Sequence, residues 1–373
     1  MGDKSKIEWT DASWTPIRAS SQDGDGWHCE HVSEGCRNCY SERMNLRLGS
    51  GLAFKPGNLS IVDLFLDERI LLQPLRWKKP RRIFVCSMTD IFADFVKDEW
   101  IDRIFAIMAL CPQHTFQVLT KRSARMRAYI SEVHETWCKR GPPAPGSERI
   151  YEAALAITGA EWLPETPAEW PIKNCWLGVS AEDQKNANAR IPDLRATPAA
   201  VRFVSIEPML GPIDLDSTLG GTLWIGGQRG CDGMHRGIGT PECPRQLHHH
   251  HDERCKRGLD WVICGGESGP NARPMHPDWA RAIRDQCAAA GVPFFFKQWG
   301  EWETSLDRDH DDPDWRADYT YDYVNHGKSK WLNRDGGCGF HGDRFHVMRR
   351  VGKRAASRLL DGREHNEFPG ASQ

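Results

Sequence analysis

The sequence predicts an α/β fold whose parallel strands close, partly or fully, into a (β/α) barrel carrying loop insertions. Three observations carry this. Six short runs are nearly continuous in apolar residues rather than alternating, as strands covered on both faces are. Helical patterns lie between several of them, which implies right-handed βαβ units. The chain has 373 residues, 39% of them hydrophobic, enough for one large barrel or for two smaller domains.

Taken in order, the first strand falls near 13–17, and residues 40–48 have helix-forming character. The run 83–87 (IFVCS) is followed by a helix over 98–110. There Ile101, Ile104, Phe105 and Met108 make one stripe, and Asp98 and Glu99 suit its start. Runs 115–120 (TFQVLT), 175–180 (CWLGVS), 201–206 (VRFVSI), 261–266 (WVICGG) and 293–298 (PFFFKQ) complete the set. The segment 277–290 opens with Pro277, spaces Trp279, Ile283 and Cys287 four apart, and stops at Gly291. Segments 134–171 and 228–258 break the rhythm and read as insertions. Residues 301–343 are polar and loop-like, with an acidic run over 307–314, and 348–360 reads as a basic amphipathic helix. The organisation expected is therefore a barrel over 1–300, insertions included, and a polar extension over 301–373 that ends in a basic helix.

Composition excludes little but orders the rest. The formal net charge of −2 gives no global argument for nucleic acid or an anionic membrane. Residues 1–14 carry charges and tryptophans instead of an apolar signal core. No apolar run approaches the roughly 18 residues of a membrane helix. A cytoplasmic protein without a membrane partner is expected. In a reducing compartment its thirteen cysteines are free, metal-bound or catalytic. Most of its sixteen tryptophans are expected in the core or lining a pocket.

Cys29, Cys36 and Cys39 fall in a C-x6-C-x2-C pattern just before the 40–48 helix. Three thiolates hold three irons of a [4Fe–4S] cube and leave the fourth open, and a glycine-bearing loop aims backbone N–H groups at its sulfurs. The same cysteines with His28 or His31 also make a zinc donor set. A second group, Cys231, His235, Cys243 and Cys255 with the histidines 248–251, reads either as a structural zinc site or as a solvated basic loop.

Polar residues stand just past each apolar run, where parallel barrels build their sites. They are Ser87 and Asp90, then Lys121 and Arg122, Ser180 and Glu182, Glu207, Glu267, and Lys297. A polar group is also the ordinary way a strand stops. As a set, Asp90, Glu182, Glu207, Glu267 and Lys297 are expected to line one pocket beside the three cysteines. Gly265 and Gly266 would admit close backbone approach to a ligand there.

The chain resembles the uncharacterised three-Cys-motif phage protein family. The resemblance lies in 7–16 (IEWTDASWTP), the three cysteines with Tyr40, 83–92 (IFVCSMTDIF), 113–121, 176–182, 203–211, 261–269 and 294–302. More remotely it is similar to radical-SAM enzymes, which place three cluster cysteines after the first strand of a barrel. It departs from their common C-x3-C-x2-C spacing, and Asn38 stands where an aromatic residue usually precedes the last cysteine. That similarity implies a [4Fe–4S] cluster, S-adenosylmethionine, an electron donor and a 5′-deoxyadenosyl radical. It also implies that the 87–90 loop meets the methionine amino end, and that Ser180 and Glu182 meet the ribose. A nucleic-acid base or nucleotide is the substrate class expected. Two other readings stand beside it. One is a zinc-stabilised, non-catalytic module that binds nucleic acid or protein. The other is a barrel hydrolase, for which no G-x-S-x-G elbow is present.

Overall fold

Burial on both faces is what made the strands legible, and each apolar run is a strand. In chain order the strands are β1 (Ala12–Trp14), β2 (Ile17–Ser21), β3 (Gly24–Gly26), β4 (Asp63–Leu66), β5 (Arg82–Val85), β6 (Thr115–Thr120) and β7 (Cys175–Ser180). They continue with β8 (Val201–Ile206), β9 (Trp261–Gly265), β10 (Phe294–Gln298), β11 (Trp302–Asp309), β12 (Ser329–Asn333) and β13 (Arg344–Arg350). The helices are α1 (Tyr40–Leu48), α2 (Glu68–Leu71), α3 (Gln73–Arg76), α4 (Asp98–Leu110), α5 (Ser123–Arg140), α6 (Glu148–Thr158), α7 (Gln184–Ala196), α8 (Pro277–Ala290) and α9 (Lys353–Ala356). The structure is a computed structural model that describes residues 4–140, 148–161, 163, 170–215, 224–225, 258–309, 329–337 and 344–370.

The fold is mixed α/β. Seven strands form one sheet in the order β1-β5-β6-β7-β8-β9-β10, with β1 and β10 at the two ends of that order. The pairs β1–β5, β5–β6, β6–β7 and β9–β10 are parallel. Among the described residues no helix is long and apolar enough to cross a membrane.

The chain divides into two compact units. The first comprises Met1–Val32, Cys39–Val179 and Arg190–Phe203; the second comprises Ser33–Asn38, Ser180–Ala189 and Val204–Gln373. In the first, the predicted α4 stripe of Ile101, Ile104, Phe105 and Met108 is fully buried. Each of those side chains contributes about 1.5–3 kcal/mol by leaving water. Gly178 on β7 has no room for a side chain, since an added Cβ would lie 2.5 Å from the Phe203 ring. A small antiparallel sheet, β3-β2-β4, leads into the cysteine motif.

In the second unit α8 starts and stops where its caps dictate. Nδ1 of His276 accepts the Asp278 amide at the N-terminus, and Gly291 takes the left-handed conformation, φ +65°, at the C-terminus. The C-terminal reading needs correction. Residues 348–360 do not form a basic helix; 344–350 is β13, the central strand of the antiparallel sheet β11-β13-β12. His346, Val347 and Met348 are all buried in that strand, and its pairing runs to Arg350 with β11 and to Arg349 with β12, inside the expected helix. Gly352 at φ +90° and Ser357 at φ +63° then confine helix to the four residues of α9. The polar stretch after 301 is likewise not all loop, because it supplies β11 and β12.

Candidate metal centre

In the first unit the cysteine motif begins where β3 ends. Asn45 of α1, fully buried, accepts the Trp27 amide at 2.9 Å and donates to Ser50 Oγ and Leu52 O. A Cβ on Gly26 would sit 2.3 Å from that Asn45 oxygen, so the approach of strand to helix requires glycine. Cys39 is the residue that caps α1, and its carbonyl takes the Arg43 amide at 3.3 Å. Cys29 and Cys39 pack against a buried apolar wall of Trp27, Phe54 and Met88.

The loop after β5 braces this arrangement. Cys86 turns it through a left-handed φ of 55°, a strained conformation for a residue with a side chain. The Ser87 carbonyl then accepts both the Tyr40 and Ser41 hydroxyls, at 2.8 and 2.9 Å, fixing the start of α1. Thr89 Oγ1 donates to the His28 carbonyl at 2.6 Å. Asp90 accepts from the Phe92 amide at 3.0 Å, Thr120 Oγ1 at 2.7 Å, the Lys121 amide at 3.0 Å and Arg122 Nη1 at 3.2 Å. Arg122 also reaches the Glu30 carbonyl at 3.4 Å and places its charge where it attracts the Cys29 sulfur.

Electrostatics at Cys29 follow from this packing. Burial, with the Asp90 charge behind it and Cys39 beside it, pushes the Cys29 thiol up to about 12, while Arg122 opposes the shift. Without a bound cation the thiol is neutral at physiological pH. A metal bound there must expel the proton, as coordinated thiols do. Burial also lowers the pKa of His28, more than Glu30 raises it, so its imidazole is neutral where it packs against Phe54 and Phe95.

The segment carrying Cys36 belongs to the second unit, where two strand-end carboxylates grip it. Glu182, fully buried past β7, accepts Ser33 Oγ at 2.9 Å and lies directly under Gly35. Any Cβ at Gly35 would come within 2.2 Å of a Glu182 oxygen. Glu267, past β9, accepts the Asn38 amide nitrogen at 2.9 Å and a bidentate pair from Arg273, Nε at 2.9 Å and Nη2 at 2.7 Å. Arg273 Nη2 also donates to the Glu34 carbonyl at 2.9 Å. Burial alone would raise the Glu267 carboxyl, but the bonds from Arg273 and Asn38 outweigh it and hold it below its usual value.

The strand-end residues therefore divide by unit. Asp90 lies with Cys29 and Cys39; Glu182 and Glu267 lie with the Cys36 segment. Glu207 and Lys297 form an ion pair with each other, past β8 and within β10. Ser180 is buried at the end of β7. Gly265 and Gly266 serve internal packing: a Cβ would stand 3.3 Å from Lys297 Cβ at the first and 2.0 Å from the Trp299 carbonyl at the second. Sequence reading did not find Ser33, Asn38 and Arg273 as partners of those carboxylates. Cys231, His235, Cys243 and Cys255, the candidate zinc ligands, lie outside the described residues. Among the described tryptophans, Trp9, Trp14, Trp27, Trp170, Trp224, Trp261, Trp279 and Trp302 are buried and the rest half-buried.

Compared with known families, residues 4–369 match the family described as "Protein of unknown function (DUF5131)". No curated protein and no solved structure matches the chain.

Proposed function

The chain belongs to the DUF5131 family, and we propose that it is a radical-SAM-type enzyme in which Cys29, Cys36 and Cys39 hold a [4Fe–4S] cluster. The observation that carries the reading is the environment of Cys29. Its thiol, partly buried, packs with Cys39 against Trp27, Phe54 and Met88, and the positive charge of Arg122 acts on it. Sulfur donors, a dry wall and one fixed cation suit an anionic iron–sulfur cluster, whose potential depends on burial and on hydrogen bonds to sulfur. Such a cluster, with one iron open, would supply one-electron chemistry to a bound S-adenosylmethionine, given an external electron donor.

The chain's own residues do the positioning. Arg122, oriented by Asp90, offsets negative charge at Cys29. Glu182 and Glu267 fix the backbone around Cys36 through Ser33, Asn38 and Arg273. By the same likeness to radical-SAM enzymes, the 87–90 loop would meet the methionine amino end of the cofactor, and Ser180 and Glu182 its ribose. A nucleobase or nucleotide is the substrate class proposed, from the likeness to a phage protein family and the arginine-bearing 228–258 insertion. The partly barrelled, radical-SAM-like architecture and the cytoplasmic location belong to the same proposal.

One observation favours a second reading. His28, which precedes Cys29 in the chain, is buried and its imidazole is neutral, the protonation state that zinc ligation needs. A Cys3His zinc site in a non-catalytic module would use it. Anaerobic purification with iron, sulfide and zinc analysis separates the two. The cluster reading expects about four irons and four sulfides per chain, lost on replacing any of the three cysteines with Ala. A colourless protein carrying one zinc at those residues overturns it.

A further inference from the structure

A second group of ligand-type side chains lies in the second unit, away from the cysteine motif in sequence and unused by the function proposed above. His276, Asp278 and His346 bring three donor atoms within 4.8 Å of one another. Both imidazoles are fully buried, and the Asp278 side chain is 17% exposed. The two rings stand edge to face, centroids 4.2 Å apart and planes at 85°. Asp278 Oδ1 is 3.8 Å from His346 Nε2.

The backbone holds these groups in place. His276 is the N-cap of α8, so its ring is set at the helix start, with Asp278 within the first turn. Trp279 packs on the His276 ring with centroids 5.6 Å apart, and its indole N–H bonds the Arg334 carbonyl. His346 is in the middle strand of the antiparallel sheet, in register with Asp307 on one side and Leu332 on the other.

We propose that His276, Asp278 and His346 bind a structural divalent metal ion that ties the start of α8 to the central strand of the C-terminal sheet. Zinc takes imidazole nitrogen at about 2.0–2.1 Å and carboxylate oxygen at about 2.0–2.2 Å, so donors around a tetrahedral ion stand roughly 3.3 Å apart. The three groups are within side-chain adjustment of that spacing. Two imidazoles and one carboxylate suit a borderline ion such as Zn²⁺ or Co²⁺ and do not suit Mg²⁺ or Ca²⁺, which prefer all-oxygen sites.

Two existing bonds set what the ion displaces. Asp278 Oδ1 accepts Arg281 Nη1 at 2.9 Å, but Arg281 also bonds Asp361 Oδ1 at 2.9 Å and keeps that partner when the carboxylate turns to the metal. Nδ1 of His276 accepts the Asp278 amide at 3.1 Å. Ligation through Nε2 shifts the ring proton to Nδ1 and ligation through Nδ1 uses its lone pair, so the ion replaces the cap bond in either case.

The test compares the full-length wild type with His276→Asn, His346→Leu and Asp278→Asn. Asparagine at 276 keeps a side-chain oxygen able to cap the helix while removing the imidazole. Zn²⁺ content and Zn²⁺ titration are measured for each after chelator treatment, together with thermal melts. The wild type is expected to bind one more equivalent of Zn²⁺ than each variant and to melt higher when Zn²⁺ is added. His276→Asn and Asp278→Asn are expected to lose at least 100-fold in affinity for that equivalent and to lose the melting shift. Metal at the cysteines is common to all four proteins and cancels. If His346→Leu does not fold, the other two variants decide. Equal Zn²⁺ stoichiometry and equal melting shifts in the wild type and the folded variants overturn the assignment.

Discussion

Replacing Arg122 with Met is the perturbation that most directly tests how the cysteine pocket of the first unit is held. The Arg122 and Asp90 side chains are 11% and 10% exposed, and they pair at 3.2 Å. Removing one partner of a buried pair costs about 3–5 kcal/mol, because the other charge is left without a counter-ion. Asp90 keeps three donors here, the amides of Phe92 and Lys121 and the hydroxyl of Thr120. The loss should therefore sit near the lower end, about 3 kcal/mol. Adding Asp90→Asn removes the stranded charge and should recover about 1–2 kcal/mol. The effect also reaches Cys29. Arg122 is the group that counters the Asp90 charge at this thiol, and each unit of further rise in the thiol weakens metal binding about tenfold. Urea unfolding of the metal-free wild type, both single variants and the double variant measures the coupling. Co²⁺ titration, followed by the thiolate-to-cobalt absorption, measures the affinity. Additive energies within about 0.5 kcal/mol, with unchanged Co²⁺ affinity in Arg122→Met, would refute the reasoning.

Two further predictions concern pH. The Cys29 thiol keeps its proton to about 12 when folded and releases it near the ordinary thiol value of 9.0 when unfolded. Its contribution is therefore full below pH 9 and is lost as pH rises from 9 towards 12, by up to about 4 kcal/mol. Cys29→Ala should flatten that alkaline decline in metal-free protein, and an identical slope in both proteins would count against the buried thiol. Glu267 runs the other way. Its folded carboxyl is depressed by Arg273 and Asn38, so its contribution is present above the ordinary glutamate range and disappears as pH falls through the depressed value. Glu267→Gln should be less stable than wild type at pH 7, with the gap closing in acid. A gap independent of pH would show that the hydrogen bonds matter and the charge does not.

The parts of the fold that could be read from sequence are those where local chemistry and burial agree. Strands β6, β7 and β8 match their apolar runs residue for residue, because burial on both faces leaves a continuous signal. Helices α4 and α8 do so because a stripe and its end residues coincide. The C-terminal strands were misread since their order comes from pairing between β11, β12 and β13, and the basic residues over 348–360 imitate a helical face. At the site, the cysteines and Asp90 were legible as types at strand ends. Their partners were not, because Ser33 meets Glu182 across 149 residues and Asn38 meets Glu267 across 229. His276 and His346 likewise meet only through the packing of a strand against a helix start. No spacing rule in the chain announces such pairs.

The central claim, a cluster at Cys29, Cys36 and Cys39, is tested most directly by Mössbauer and EPR spectroscopy of the protein purified and ⁵⁷Fe-reconstituted without oxygen. A [4Fe–4S] signature should appear, vanish in the Cys→Ala variants, and in the reduced state change when S-adenosylmethionine is added, as one open iron requires. Iron that fails to assemble on the wild type, with zinc at the three cysteines instead, would contradict the account.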